Sequence, residues 1–287
     1  MATLRDIRRR IRSVKKTQQI TSAMRMVAAA KLRRAQDAIL AARPYAQRMY
    51  ATLAEVGRRD QEATHPLIAR RDSRQNLEVL VVTSDRGLCG AFNANTLKHA
   101  EATIRAQAES YANVTVAAVG RKAHDHFRRR RGLVESWTDI GNVTYERAAK
   151  IGEAVGRRFL AGENDGVVIV YNRFVSAISQ QPRDLPLLPF AGSPELVETG
   201  EAPPFEMEPD PKALLDALVP NALEFLVFTA LLETQAGFYA AQMTAMESAT
   251  RNTAELISAL TLQFNRARQA AITKELVEIV SGAEALK

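Results

Sequence analysis

The chain has one cysteine, Cys89, in 287 residues. No disulfide can form within it, which suits a reducing compartment, and Cys89 reads as a small buried hydrophobe rather than a reactive thiol. Aromatic residues are few, at 6%, which leaves little to stack on nucleic-acid bases. No uninterrupted apolar run approaches 18 residues, so no segment is expected to span a bilayer. The amino terminus lacks the apolar core and small-residue cleavage site of a secretory signal. An arginine-rich presequence is a nearer look-alike, but the same periodicity runs well past the length of such a leader. Acid is scarce at the head: residues 1–34 carry eleven Arg or Lys against Asp6 alone. That segment nets +10, leaving about −3 for the rest of a chain whose total is +7.

Glycine and proline are nearly absent from both ends. No glycine precedes Gly57, no proline follows Pro220, and only Gly237 and Gly282 interrupt the tail. What fills the tail is a seam: Leu232, Ala236, Tyr239, Met243, Met246, Thr250, Thr253, Ile257, Leu260, Phe264, Ala267 and Ala271. Steps of four and three alternate, the spacing of a helix wound around another helix. The head supplies a partner: Leu4, Ile7, Ile11 and Val14 continue through Gln18, Thr21, Ala28, Leu32, Ala35 and Ile39. This second helix runs at least to Arg43, roughly 60 Å at 1.5 Å per residue, and Pro44 kinks it or marks a fresh start. The tail helix, about 70 residues or roughly 105 Å if straight, outlasts that partner and must project. Between Ile20 and Leu32 the head is apolar nearly all round, with Ile20, Met24 and Val27 off the seam. Local packing on the chain's own globular part and a surrounding sleeve both account for it.

The middle differs. Residues 58–76 are polar and basic and read as a linker. Strands are expected at 77–83, 114–119, 134–137 and 166–171, alternating with helices at 94–110, 121–131 and 144–160. That alternation argues for a small, mainly parallel α/β domain. Eight of the eleven prolines fall between Pro182 and Pro211, around a strand-like Leu187–Phe190, and helix resumes near Lys212. The expected organisation is therefore a coiled-coil helix at 1–57, a linker and Rossmann-like α/β domain at 58–211, and a coiled-coil helix at 212–287. The two helices are antiparallel, because the inserted domain returns the chain beside its origin.

Little in the chain resembles an active site. Thr83-Ser84-Asp85-Arg86-Gly87-Leu88-Cys89-Gly90 sits where phosphate loops sit, but has neither glycine-loop spacing, so it reads as a tight turn. His124 and His126 are two apart on a helix and face different sides, which argues against a shared metal. Ser13-Val14-Lys15-Lys16 matches a short S-x-x-K pattern without its companion motifs. No G-x-S-x-G elbow is present, and no cofactor is expected. The basic helix with Arg8, Arg9, Arg10, Arg12, Lys15 and Lys16 keeps one alternative open, a nucleic-acid-binding coiled coil.

Four stretches resemble the gamma subunits of bacterial F-type ATP synthases: residues 20–36 (ITSAMRMVAAAKLRRAQ) with Ala42-Arg43-Pro44-Tyr45, residues 83–90 with Asn93 and Asn95, the looser 168–190, and residues 264–283 (FNRARQAAITKELVEIVSGA). Gln242, Arg251 and Gly237-Phe238-Tyr239 depart from the usual pattern, and no cysteine-bearing regulatory insert is present. The resemblance implies a central rotor shaft without an active site of its own. Its terminal helices would form an antiparallel coiled coil inside a ring of alpha and catalytic beta subunits. Its α/β domain would sit on the proton-driven membrane c-ring and touch the epsilon subunit. The complex would lie at the cytoplasmic face of the bacterial plasma membrane, with this chain peripheral and not inserted. It further implies that Ile20, Met24 and Val27 face the catch region of the catalytic subunit, with Arg268, Gln269 and Thr273 opposite.

Overall fold

The computed structural model describes residues 3–59, 65–69, 71, 73–130, 132–190 and 210–284. In chain order the elements are α1 (Leu4–Arg59), β1 (Asn76–Val82), α2 (Phe92–Gln107), β2 (Asn113–Val119), α3 (Arg121–Phe127), β3 (Leu133–Trp137), α4 (Tyr145–Leu160), β4 (Gly166–Phe174), β5 (Gln180–Leu188) and α5 (Pro211–Glu284). The chain forms two compact units, one of Met1–Ala28 with Gln242–Lys287 and one of Ala29–Ala241. Both α1 and α5 contribute to each.

The larger unit is built on a five-stranded sheet in the order β3-β2-β1-β4-β5. The first four strands are parallel and β5 is antiparallel to β4. A parallel sheet needs both faces covered, and the alternation along β1 assigns them. Leu77, Val79 and Val81 pack with Ala100 of α2 and Ala123 and Phe127 of α3. Leu80 and Val82 face the other layer, with Ile151, Val155 and Phe159 of α4, Leu223 and Val227 of α5, and Met49 and Tyr50 of α1. Gly152 lets α4 approach α5 closely, since a Cβ there would lie 3.0 Å from the Glu224 Cα. Gly237 works the same way inside α5, its bare backbone seating the Phe92 ring.

Pro44 neither ends α1 nor starts a new helix, for α1 is continuous across it. The strand expected at 187–190 is longer and earlier, spanning Pro182 and Pro186. Those prolines are tolerated because β5 is an edge strand, where a missing N–H leaves no ladder partner unpaired. Of the proline-rich boundary expected between Pro182 and Pro211, residues 191–209 lie outside the described residues. In the linker expected at 58–76, His65 opens a turn that accepts the Ile68 N–H, and Leu67 is buried and accepts the Phe190 N–H. Arg71 lies over the Phe159 ring at 4.3 Å, so this connection is stitched to the sheet. At α5, Asp210 accepts the Ala213 N–H at 2.9 Å and Pro211 takes the first helical position, which needs no N–H.

Averaged over a window, α5 does contain one stretch apolar enough, by length and composition, to cross a bilayer (mean hydropathy 1.6 within Lys212–Ser281). Half of that window is buried within the fold. A helix that packs Leu215, Leu223, Leu226 and Leu231 into a core carries this composition for that reason.

Candidate functional site

The crevice at the carboxyl ends of parallel strands is where open α/β sheets hold ligands. Here the chain fills it with its own side chains. Asn93, in the first turn of α2, accepts the Ser84 N–H and hydroxyl at 3.1 and 3.0 Å, and donates to the Arg86 carbonyl and to Cys89 Sγ. Thr83 Oγ1 accepts the Ala123 N–H at 2.8 Å, and Asp85 accepts the backbone N–H groups of Arg121 and Asp139. A Cβ at Gly120, where φ is +91°, would lie 2.3 Å from the Thr83 carbonyl oxygen. The 83–90 segment is thus a tied turn with its polar groups matched internally. Cys89 is buried, and burial pushes its thiol pKa up, away from nucleophilic use.

The histidines separate as their spacing requires. His124 Nδ1 lies 3.0 Å from Ser136 Oγ, whereas His126 Nε2 lies 2.8 Å from Glu101 Oε1. Among the described residues no group of three or more His, Cys, Asp or Glu is placed to hold a metal. One cavity, about 430 Å³, opens between α1, α5 and strands β4 and β5. Arg43, Arg173, Arg183 and Glu233 line it above an apolar floor, a feature that no motif in the sequence announces.

A different surface emerges in the smaller unit. α1 opens with a reciprocal cap: the Thr3 N–H donates to Asp6 Oδ2 and the Asp6 N–H to Thr3 Oγ1. That hydrogen bonding holds the Asp6 carboxyl below the usual range. Of the head seam, Ile7, Thr21 and Ala28 are buried and Leu4, Ile11, Val14 and Gln18 are half-buried. In the tail between residues 251 and 281, the only side chains not exposed are Thr253, Ile257, Leu260, Phe264, Ala267 and Ala271. Those are the seam positions that the spacing picks out. Two contacts give the direction. Thr21 Oγ1 meets Thr250 Oγ1 at 2.8 Å, and the Arg8 guanidinium lies 5.3 Å from the centre of the Phe264 ring. Moving toward the amino terminus in one helix moves toward the carboxyl terminus in the other, so the pair is antiparallel.

The rest of this unit's apolar surface faces outward. Ile20, Met26 and Val27 are 55–61% exposed on the head, and Ile272, Leu276, Val277, Ile279 and Val280 are 50–68% exposed on the tail. Met24 is half-buried, and Arg268, Gln269 and Thr273 are exposed, with Thr273 Oγ1 donating to the Gln269 carbonyl at 3.0 Å. The register corrects one expectation. Met24 lies three residues past Thr21, level with Glu247, whereas Arg268 lies beyond Phe264 near the start of the head. Some twenty residues of helix, roughly 30 Å, separate the two groups, so they form two levels rather than one site. The exposed tail from Ile272 onward was missed as a group. The signal was available: a seam that ends at Ala271 while apolar residues continue.

Comparison with known proteins gives one answer. A family model described as ATP synthase matches residues 3–286. A protein of Anaeromyxobacter sp. (strain Fw109-5), the ATP synthase gamma chain, is 50% identical, with all of both chains covered. The ATP synthase gamma chain of Geobacter metallireducens is 45% identical, again with all of both chains covered. Among solved structures, a chain in the central stalk and c-ring of the Tetrahymena thermophila mitochondrial ATP synthase matches with a TM-score of 0.60 at 28% identity. That match covers 80% of this chain and 99% of that one. A chain of the Euglena gracilis mitochondrial ATP synthase matches with a TM-score of 0.66, covering 99% of this chain and 94% of that one. At 23% identity it speaks to the fold alone. Nothing in these relatives supports a nucleic-acid role for the basic head.

Proposed function

The chain belongs to the ATP synthase gamma chain family, and from that premise we propose that it is the central shaft of a rotary ATP synthase. The observation that carries the proposal is the two-helix unit. Its seam is closed while a second set of large apolar side chains stays outside. A helix pair that exposes Ile20, Met26 and Val27 at one level and Leu276 and Ile279 at another is built to be surrounded. The occupant of that surround is a ring of alpha and catalytic beta subunits. Ile20, Met24 and Val27 meet it at one level and Arg268, Gln269 and Thr273 at the other. Arg268 can make forked bonds to carboxylates, which gives the shaft a preferred angle rather than a smooth bearing.

The sheet unit carries the contact with the driving side of the machine, resting on a membrane c-ring and contacting an epsilon subunit at the cytoplasmic face of the plasma membrane. Protons crossing the membrane supply about 2.3 kcal/mol per charge per 100 mV, and this reaches the catalytic sites only as torque. The chain supplies no catalytic group. The tied turn at 83–90, where a nucleotide would otherwise sit, supports that part of the reading.

The test is reassembly. The chain combined with alpha and beta subunits of its own bacterium should give an ATP-hydrolysing complex, and removal of residues 260–287 should abolish proton-driven ATP synthesis. Failure to co-purify with the ring, or full coupling without those residues, would refute the assignment. The +10 head should further favour entry into an acidic sleeve. Reversing Arg9 and Arg10 should then weaken assembly more at low salt than at high. Arg8 is unsuited to this experiment because it also touches Phe264.

A further inference from the structure

The seam of the two-helix unit contains one anomaly. Thr21 is 8% exposed and is the only buried polar side chain of that unit among the described residues. Its hydroxyl lies 2.8 Å from that of Thr250 on the facing helix. Each hydroxyl has one proton, so only one of the two donates across the pair, and the shorter outlets favour one arrangement. Thr250 Oγ1 is 2.8 Å from the Met246 carbonyl in its own helix, the shortest outlet for its proton. Its oxygen is then free to accept from Thr21, whose alternative is the longer 3.1 Å contact with the Gln18 carbonyl. The result is a directed chain from Thr21 through Thr250 to the Met246 carbonyl. It closes only when these two turns lie opposite one another.

We propose that Thr21 and Thr250 form the register key of the helix pair. They are positioning residues that fix which turn of the head lies against which turn of the tail, and they do so at some expense of stability. The neighbouring seam needs such a key. Ile7, Ile11 and Val14 on one side and Ile257 and Leu260 on the other are interchangeable apolar knobs, and a slip by half a heptad or a heptad keeps them all in the seam. A polar residue at one seam position is what distinguishes the correct alignment from its neighbours. Thr253, three residues on, bonds the Ala249 and Thr250 carbonyls of its own helix at 2.9 and 2.8 Å. The half-heptad slip that brings Thr253 toward Thr21 is the nearest competitor.

The proposal rests on the shaft reading only for its consequence, since a slipped register would move the exposed apolar levels relative to one another. The register itself is measurable in the isolated full chain. Spin labels at Arg9→Cys and Glu247→Cys, both exposed and offset along the axis by some fifteen residues, report the alignment by pulsed dipolar distance, because at that offset (about 22 Å) an axial slip passes almost fully into the distance. The background is Cys89→Ser, which keeps an acceptor for Asn93. The native pair should give one narrow distance. The double variant Thr21→Val with Thr250→Val should add a second population displaced by about 5 Å (half a heptad) or about 10 Å (a heptad). Its share should rise several-fold over the parent while the melting temperature holds or rises. Thr21→Ser with Thr250→Ser should restore the single distance. A single narrow distance in the valine variant overturns the proposal. So does broadening accompanied by a lowered melting temperature, which would mean loosened packing. Either failure leaves the shaft assignment standing, because that assignment is read from assembly and coupling.

Discussion

The two units use the same apolar vocabulary to different ends. In the sheet unit, Leu80, Ile151, Phe159, Ile169 and Leu223 are all but inaccessible, and both faces of β1 are covered. In the helix-pair unit, Leu256, Leu262, Ile272 and Leu276 are about half exposed or more, and between residues 251 and 281 only a single row of side chains is shielded. One unit closes its own core. The other closes a seam and leaves its remaining apolar surface for something outside the chain. Stability in the first should therefore depend on its interior, and function in the second on its exterior.

The strongest contrast should come from Glu78. It is fully buried on β1, forked to Arg158 at 2.9 and 2.6 Å and bonded by the Asn164 amide at 2.6 Å. Glu78→Ala leaves Arg158 in a largely buried position with Glu135 as its remaining carboxylate. Breaking a buried pair by removing one partner costs on the order of 3 kcal/mol. Urea unfolding of the full chain should show that loss. A neutral result would mean that water replaces the carboxylate, and that this unit is looser than its burial indicates.

Leu260→Ala in the seam should cost less, about 1–2 kcal/mol, because the side chain is only half-buried and a helix pair collapses onto a small gap more readily than a sheet core does. Thermal melts of the two variants side by side would rank the units. A seam loss equal to the core loss would erase the distinction drawn above.

How much of this was legible beforehand follows the same division. The seam was readable residue by residue, because a helix pair is one-dimensional and spacing alone decides which side chains meet. The sheet's strands were readable from their apolar runs, apart from β5, where Pro182 and Pro186 disguised an edge strand. Long-range pairings were not. Nothing local ties Glu78 to Arg158, eighty residues away, or Asp85 to the backbone of Asp139. The two-level arrangement of Met24 and Arg268 also needed the register, which the spacing fixes only to within a heptad.

A smaller effect tests the connection between α1 and the sheet. His65 is buried, and its Nδ1 accepts the Leu67 N–H at 3.1 Å, which requires that nitrogen to be unprotonated. Burial lowers its pKa, against a weaker pull upward from Asp216. Above the unfolded value of about 6.5 the ring is neutral in both states, so pH does not matter there. As pH falls below it, the unfolded chain takes up a proton that the folded chain resists, and stability declines until the folded value is passed. His65→Asn keeps an acceptor and removes the titration. Between pH 7.5 and 5.5 its melting temperature should fall less than that of the parent. Parallel curves would place the acid sensitivity elsewhere.

The smallest change in stability should accompany the largest change in function. Leu276 and Ile279 are 57% and 68% exposed, past the last seam residue, Ala271. Replacing both with serine removes no contact that the isolated chain depends on, so unfolding should move by no more than about 0.5 kcal/mol. If these side chains seat the shaft in its ring, the same variant should lower coupled ATP synthesis several-fold, with less effect on assembly at high subunit concentration. A fall in stability would instead show that the tail folds onto its own chain. The exposed apolar row would then be a core that had not yet found its cover, and the contrast between the two units would be one of degree.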